Sequence, residues 1–553
     1  MRVAVLSNVN VDFLLNDLRK EHDIFRPDGY GTWVQDLVNP RSALATFKPN
    51  AVFVLLDGQE LVGETASLDD ATTLLDSAAS YVEAFAQAQP ETPLFVSTID
   101  LPHHRITCLK DAGFERHCES AWYARLAGLN RDYGKVYVFD VKRLIEEAGR
   151  DTFYSAKLWY AASIKYSLDG HKAILAHIDR CLRAVRGSRK KLIVLDLDNT
   201  LWGGILGEEG VDGIELDEHG EGARFKDFQR RLKEMGATGI VLSIASKNNE
   251  ADAWEAIERN PHMILRRSDF IDPRINWDPK GPNIRSLAET VNLGLDALVF
   301  VDDSPVEREA VLSEIPELTI ANFPDDSTAL PRFARHLYDE HFFTLAVTAE
   351  DKKRTAMYQQ NQRREESLRA AANYDDFLRS LQTVIRISPP GPSDIARVAQ
   401  LTQKTNQFNV TTRRYTEPDI AAMVISNRHH VYAVWVDDKF GQNGLVSVVI
   451  VAHETPTSAR IDTFLMSCRV MSRHVEDQIL DHVENVLREG GVRTVYADYL
   501  PKRANAPVVG LFDRLGYELF ETDAEGGKHY RLDLRAPMGG TRKCFARLVA
   551  GVG

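Results

Sequence analysis

Short apolar runs recur along the chain at lengths that suit strands better than helices. Val3-Ala-Val-Leu, Ala51-Val-Phe-Val-Leu-Leu and Pro93-Leu-Phe-Val-Ser are continuous rather than alternating. That pattern predicts strands buried on both faces. Between them the apolar positions take helical spacing, as in Leu74-Leu-Asp-Ser-Ala-Ala-Ser-Tyr-Val-Glu-Ala-Phe. Strands alternating with helices predict a parallel sheet covered by helices. The same pattern returns in Leu192-Ile-Val-Leu, Ile240-Val-Leu-Ser-Ile-Ala and Ala297-Leu-Val-Phe-Val. It changes near residue 346. Thr348 to about Leu381 is charged, apolar at helical spacing and free of Pro and Gly, which predicts a connecting helix. Pro389-Pro-Gly-Pro392 breaks the chain. Three strand-like runs follow, beginning at Val431, Gly444 and Ala459; then come a helix from Glu476 and a strand Thr494-Val-Tyr-Ala-Asp-Tyr. The expected class is α/β in three domains, spanning 1–185, 186–345 and 346–553, the last of α+β type.

Three of these strands end in chemistry. Leu192-Ile-Val-Leu runs into Asp196-Leu-Asp198-Asn-Thr200-Leu-Trp202-Gly-Gly, two carboxylates at i, i+2 with nothing basic between them. The carboxyl ends of strands are where open α/β sheets bind ligands. A bound hard cation such as Mg²⁺ is the simplest way to keep both groups ionised there. The second strand ends in Ser246-Lys247-Asn248, and the third in Asp302-Asp303-Ser304-Pro305. Lys280 stands in the turn-rich stretch Trp277-Asp-Pro-Lys-Gly-Pro.

Residues 190 to 325 therefore resemble the four ordered motifs of the haloacid dehalogenase (HAD) superfamily. The resemblance implies that Asp196 is a nucleophile taking a phosphoryl group and Asp198 a general acid/base. Thr200, Ser246, Lys247 and Lys280 become the phosphate-binding candidates. Asp196, Asp198, Asp302 and Asp303 become the Mg²⁺ ligands. Phosphoryl transfer is mostly positioning and charge neutralisation, which this set supplies. Only 45 residues separate Thr200 from Ser246, and 33 separate Ser246 from Lys280. The core itself uses most of these, so no large cap domain is expected.

Charge and cysteine usage narrow the class. A net charge of -13 argues against general nucleic-acid binding. No apolar run is long enough for a membrane span. Five scattered cysteines suit a reducing cytoplasm better than a disulfide scaffold. In the first domain Ser7 follows the first strand, where an SGNH hydrolase carries its nucleophile. No Asp-x-x-His stands near the end of this segment to complete a triad, so a turn role is the expectation for Ser7 in a degenerate SGNH-like domain.

Residues 380 to 535 resemble the GNAT acyltransferase fold in the order of their elements. The segment matching that family's pantetheine-binding turn is Arg469-Val-Met-Ser472-Arg473-His474, with Asn505 beyond it. Ser472 stands where a Gly is usual, which is unfavourable for close phosphate approach. Three strings, Asp196 to Gly204, Gln403-Lys-Thr-Asn-Gln-Phe-Asn409 and Ser467-Cys468-Arg469, make the whole chain resemble FkbH-like proteins of polyketide pathways. The resemblance implies dephosphorylation of D-1,3-bisphosphoglycerate and transfer of its glyceryl unit to the phosphopantetheine arm of an acyl carrier protein, with Cys468 as thioester nucleophile. Positive neighbours would activate that thiol; the alternative is a small buried filler. Arg186, Arg189, Lys190, Lys191, Arg413 and Arg414 are candidates for docking an acidic carrier. A HAD phosphatase acting on a free metabolite, with inert flanking domains, is the rival reading.

Overall fold

A computed structural model describes the chain except residues 28–30, 66, 103–107, 109, 111–112, 292, 353, 468–469, 537–541 and 551–553. The chain forms two compact units, Met1–Lys352 and Lys353–Gly553. Among the described residues no helix is long and apolar enough to cross a membrane.

The first unit holds two parallel sheets. β1 (Arg2–Ser7), β2 (Asp23–Phe25), β3 (Ala51–Leu55), β4 (Leu94–Ser97) and β5 (Val136–Phe139) pair in the order β2-β1-β3-β4-β5. The continuous apolar runs predicted β1, β3 and β4. They missed β2, a three-residue edge strand opening on a charge, and β5, whose Tyr137 and Val138 are half-exposed. Ser7 Oγ donates to Leu55 O (2.7 Å) and accepts from Val9 N (3.2 Å), so it closes the turn after β1.

β6 (Leu192–Leu195), β7 (Val241–Ser246), β8 (Arg274–Ile275), β9 (Leu298–Val301) and β10 (Thr319–Ile320) form the second sheet, in the order β10-β9-β6-β7-β8. The first strand in sequence is thus central, flanked by β9 and β7. Strand order reverses at β6, the place where such sheets open a crevice. After Leu330–Leu337 the chain turns back. Phe343 and Leu345 pack against the first sheet's core, among Phe53, Phe139 and Ile178. Arg180 in the helix Leu168–Arg186 pairs with Asp339 at 3.2 Å.

In the second unit the predicted connecting helix is divided. Arg354–Ala370 ends, and Asn373 caps a new helix, Tyr374–Ser380, accepting from Asp376 N (2.9 Å). An Asn side chain that satisfies a first-turn N–H starts a helix afresh. β11 (Val384–Ser388), β12 (Phe408–Asn409), β13 (His429–Asp438), β14 (Gly441–Thr455), β15 (Ser458–Met466), β16 (Thr494–Tyr499), β17 (Glu518–Thr522), β18 (Lys528–Asp533) and β19 (Arg547–Ala550) build one mixed sheet. β15 and β16 run parallel only from Ser458 to Ile461, then diverge. Into the opening goes β12, pairing with Leu465 and Met466 of β15. Val410 bridges the gap, donating to Phe464 O (3.1 Å) and accepting from Leu500 N (2.8 Å).

A buried ion cluster fixes the turn between β13 and β14. The Asp438 side chain is fully buried and accepts from Arg364 Nε (2.7 Å) and from Arg473 (3.0 Å). Removing one partner of a buried pair leaves the other charge desolvated. Asp438→Ala should therefore destabilise the second unit by about 3–5 kcal/mol, read by denaturant unfolding, whereas Asp437→Ala nearby should cost under about 1 kcal/mol.

Candidate active site

Backbone geometry delivers the carboxylates. Asp196 N donates to Val301 O (2.9 Å), extending the β6–β9 ladder one residue and setting Asp196 beside Asp302. The chain then tightens: Leu201 N bonds Leu197 O (2.8 Å) and Asn199 adopts a left-handed φ of 51°. Asn tolerates that conformation, and its Oδ1 accepts from Gly204 N (2.9 Å). Gly204 itself has φ +87°, and the Glu209 carboxylate fills the place of its missing Cβ. Only Gly suits both conditions.

Lys280 opens the helix Lys280–Thr290 and is 4% exposed. Its Nζ lies 2.9 Å from Asp196 Oδ1 and 2.5 Å from Asp302 Oδ2. One oxygen each of Asp196, Asp302 and Asp303 lies within 4.8 Å of the others. Three carboxylates thus share one ammonium, and the excess shows. Burial, and then the Asp196 charge, push Asp302 up to about 6 against the pull of Lys280. Asp303 is raised for the same reasons. Burial opposes the Lys280 charge, but Asp196 and Asp302 outweigh it and hold its pKa above the ordinary lysine value. Asp196 Oδ1 is buried and has no donor aligned on it, despite the nearby ammonium. Oxygen-only donors and two surplus negative charges fit a hard divalent cation.

Asp198 stands outside the group of three clustered carboxylates. Its Oδ1 accepts from Trp202 Nε1 (3.0 Å) and Leu206 N (3.1 Å), and its Oδ2 from Asn248 Nδ2 (3.0 Å). Both oxygens are held by neutral donors, which fixes the orientation of the group. Thr200 is fully buried, and its Oγ1 accepts from Asp303 N (3.2 Å), so it positions Asp303. Ser246 is buried at the end of β7, with its Oγ 3.4 Å from Asn248 Nδ2. Lys247 pairs with Glu307 (2.7 Å) instead of with the clustered carboxylates. Trp202 and Asn248 stand inside the strings that marked the site, yet nothing in spacing alone assigns them to Asp198.

In the second unit Cys468 and Arg469 lie outside the described residues. Ser472 and His474 both have left-handed φ, 66° and 56°, and the Ser472 carbonyl accepts from Tyr374 Oη (2.8 Å). Arg473 turns inward to Asp438 and anchors the turn. His474 occupies the N-cap position of the helix Val475–Glu489 without a side-chain capping bond, its Nδ1 3.4 Å from Asp477 Oδ2. Asn505 is fully buried and saturated. It donates to Asn409 O and Leu500 O (2.9 Å each) and accepts from Tyr499 Oη (3.2 Å) and Lys502 N (2.7 Å). It holds β12 in its slot and has no donor left for a ligand. Five of the six basic docking candidates (Arg186, Arg189, Lys190, Arg413 and Arg414) are engaged with groups of their own unit.

No protein-family model and no curated protein matches the chain. Among solved structures, the N-terminal part of the protein BF1531 from Bacteroides fragilis, containing a phosphatase domain complexed with Mg, is similar at 25% identity; the match covers 63% of this chain and 94% of that one, with a TM-score of 0.58. The ribosomal-protein-S18-alanine N-acetyltransferase from Escherichia coli matches at 16% identity over 28% of this chain and 96% of its own, with a TM-score of 0.22. The GNAT domain of S. lividans PAT matches at 17% over 27% and 89%, with a TM-score of 0.22.

The raised Asp302 gives a pH test. The folded protein holds that proton more tightly than the unfolded chain. Without cation, stability should therefore fall as pH rises from the ordinary carboxylate range through about 6. A cation displaces the proton and relieves the repulsion. Added Mg²⁺ should raise Tm more at about pH 7.5 than at about pH 5, and Asp302→Asn should reduce the difference. Equal shifts at both pH values would count against the cluster as the binding site.

Proposed function

We propose that this chain is a Mg²⁺-dependent phosphatase joined to an acyl-transfer domain, acting on D-1,3-bisphosphoglycerate and loading the glyceryl unit onto an acyl carrier protein. The carrying observation is the Asp196–Asp302–Asp303 cluster around buried Lys280 at the strand reversal. The likeness to a Mg-complexed phosphatase domain supports it.

The residues divide the work. Asp196 attacks phosphorus and forms an aspartyl-phosphate, while Asp198 donates a proton to the leaving oxygen. Water then cleaves the acyl phosphate, and Asp198 accepts its proton. Trp202, Leu206 N and Asn248 fix the Asp198 carboxylate for both transfers. Lys280 keeps Asp196 ionised and meets the charge of the phosphoryl oxygens. Asp196, Asp302 and Asp303 would hold Mg²⁺, which when bound would supply further charge neutralisation.

The acyl phosphate end of the substrate needs no further activation. The Cys468 thiolate attacks its carbonyl, the C–O bond breaks and phosphate leaves, giving a thioester that is glyceryl when the phosphate ester has been removed first and 3-phosphoglyceryl when it has not. The pantetheine thiol takes the acyl group in a second exchange, and Cys468 is freed. The phosphate ester at the other end of the substrate belongs to the Asp196 site, whichever of the two steps comes first. Its short connections, with no cap domain inserted, leave room for a substrate tethered to a carrier.

Intact-mass measurement after incubation with 1,3-bisphosphoglycerate and a carrier protein should show a glyceryl unit on the carrier. Cys468→Ala should lose the enzyme adduct and the loading but still release phosphate from a simple ester. Asp196→Asn should cut phosphate release about a thousandfold or more. Free phosphate accumulating beside an unmodified carrier would instead favour a phosphatase of free metabolites.

A further inference from the structure

Lys247 and Glu307 sit on either side of the reacting strand. Lys247 follows β7, and Glu307 lies in the first turn of the helix Pro305–Glu314, just beyond Asp302 and Asp303 at the end of β9. β7 and β9 are separated by β6, a span of about 10 Å, or two strand spacings. Their 2.7 Å ion pair therefore links the two strand ends flanking the one that delivers Asp196. It belongs to the rim of the site. The two side chains are 39% and 24% exposed, against 4% for Lys280 on the floor.

The floor already has its own cation for the transferred phosphate. Lys280 is bound to Asp196 and Asp302 and cannot reach outward without abandoning both. Lys247 is the opposite case. An exposed pair of this kind is weakly held and opens readily, and a lysine is a point charge on a flexible stem that takes any nearby anion.

We propose that Lys247 is a specificity residue for a second anionic group of the substrate, a carboxylate or a second phosphate, and that Glu307 is the placeholder this group displaces. This rests on the phosphatase reading of the Asp196 site and is independent of the acyl-transfer step. A substrate with a second anion exchanges one ion pair for another as it enters. A substrate without one meets the pair still closed across the rim, with a carboxylate facing its phosphate.

The test compares phosphoglycolate with ethyl phosphate, which differ by a carboxylate in place of a methyl group, using the full chain with Mg²⁺. Wild type should favour phosphoglycolate in kcat/KM by about tenfold or more. Lys247→Met should collapse that ratio, mainly through KM for phosphoglycolate, and Lys247→Arg should retain most of it. Glu307→Gln should lower KM for phosphoglycolate, because its competitor is gone. An unchanged ratio in Lys247→Met overturns the proposal. So does an equal loss on both substrates, which would place Lys247 on the transferred phosphate. Turnover of neither substrate by wild type overturns the phosphatase reading, and the proposal with it.

Discussion

Mutual repulsion of Asp196, Asp302 and Asp303 is the constraint around which the catalytic end of the first unit is arranged. Carboxylates this close do not stay ionised in a buried site without help. Each neighbouring device holds one of them against that tendency. The ladder bond from Asp196 N to Val301 O fixes the first beside the second. Ser304 N donates to Asp302 Oδ1 (2.9 Å), and Arg308 caps the carbonyls of both Asp302 (2.6 Å) and Asp303 (2.8 Å). Thr200 ties down the backbone of Asp303 from the opposite loop. Lys280 is buried because its charge is needed there and nowhere else. The strain of gathering like charges is the source of affinity for a cation, and so the fold and the chemistry have a common origin.

The sequence made the floor of this site legible and left its walls obscure, for a physical reason. A strand that ends in acids announces itself in one stretch of chain, as at Asp196 and at Asp302–Asp303. Whether a neighbouring side chain faces the ligand or the protein depends on partners far away. Thr200 reads as a phosphate-binding hydroxyl, and its bond to Asp303 N is invisible in the sequence. Asp198 reads as a metal ligand, and the hold of Trp202 and Asn248 on its two oxygens is equally hidden. Lys247 reads as a phosphate lysine until Glu307, sixty residues on, appears beside it. The same holds for secondary structure. Continuous apolar runs marked the central strands, while β2 and β5 carry too little apolar signal to be seen.

The second unit shows the contrast more sharply. Its parallel pair β15 and β16 separates after Ile461, and a splayed pair exposes unpaired backbone groups that need partners. The chain supplies its own. Phe408 to Val410 enter the opening, and Asn505 ties them to the chain after β16, donating to Asn409 O while its other three hydrogen bonds go to Tyr499, Leu500 and Lys502. Arg473 is drawn inward by Asp438 at the other side of the same turn. Two residues that motif position assigns to ligand binding thus take part in building the scaffold. Ser472 and His474, in left-handed backbone on either side of the anchored Arg473, are held in a conformation that non-glycine residues seldom adopt without such support.

The packing of Phe343 and Leu345 into the first sheet has a consequence for biosynthesis. The first sheet and its helices are translated by about Leu182, but part of their core arrives only with Phe343. At about 5–20 residues per second, the ribosome needs about 10–30 s to make the intervening stretch. During that interval a nascent apolar surface stands open at the helix Leu168–Arg186, awaiting a segment that lies beyond the entire second sheet. Maturation of the N-terminal layer is thereby coupled to completion of the catalytic one, and a stalled or truncated nascent chain would leave that apolar surface uncovered.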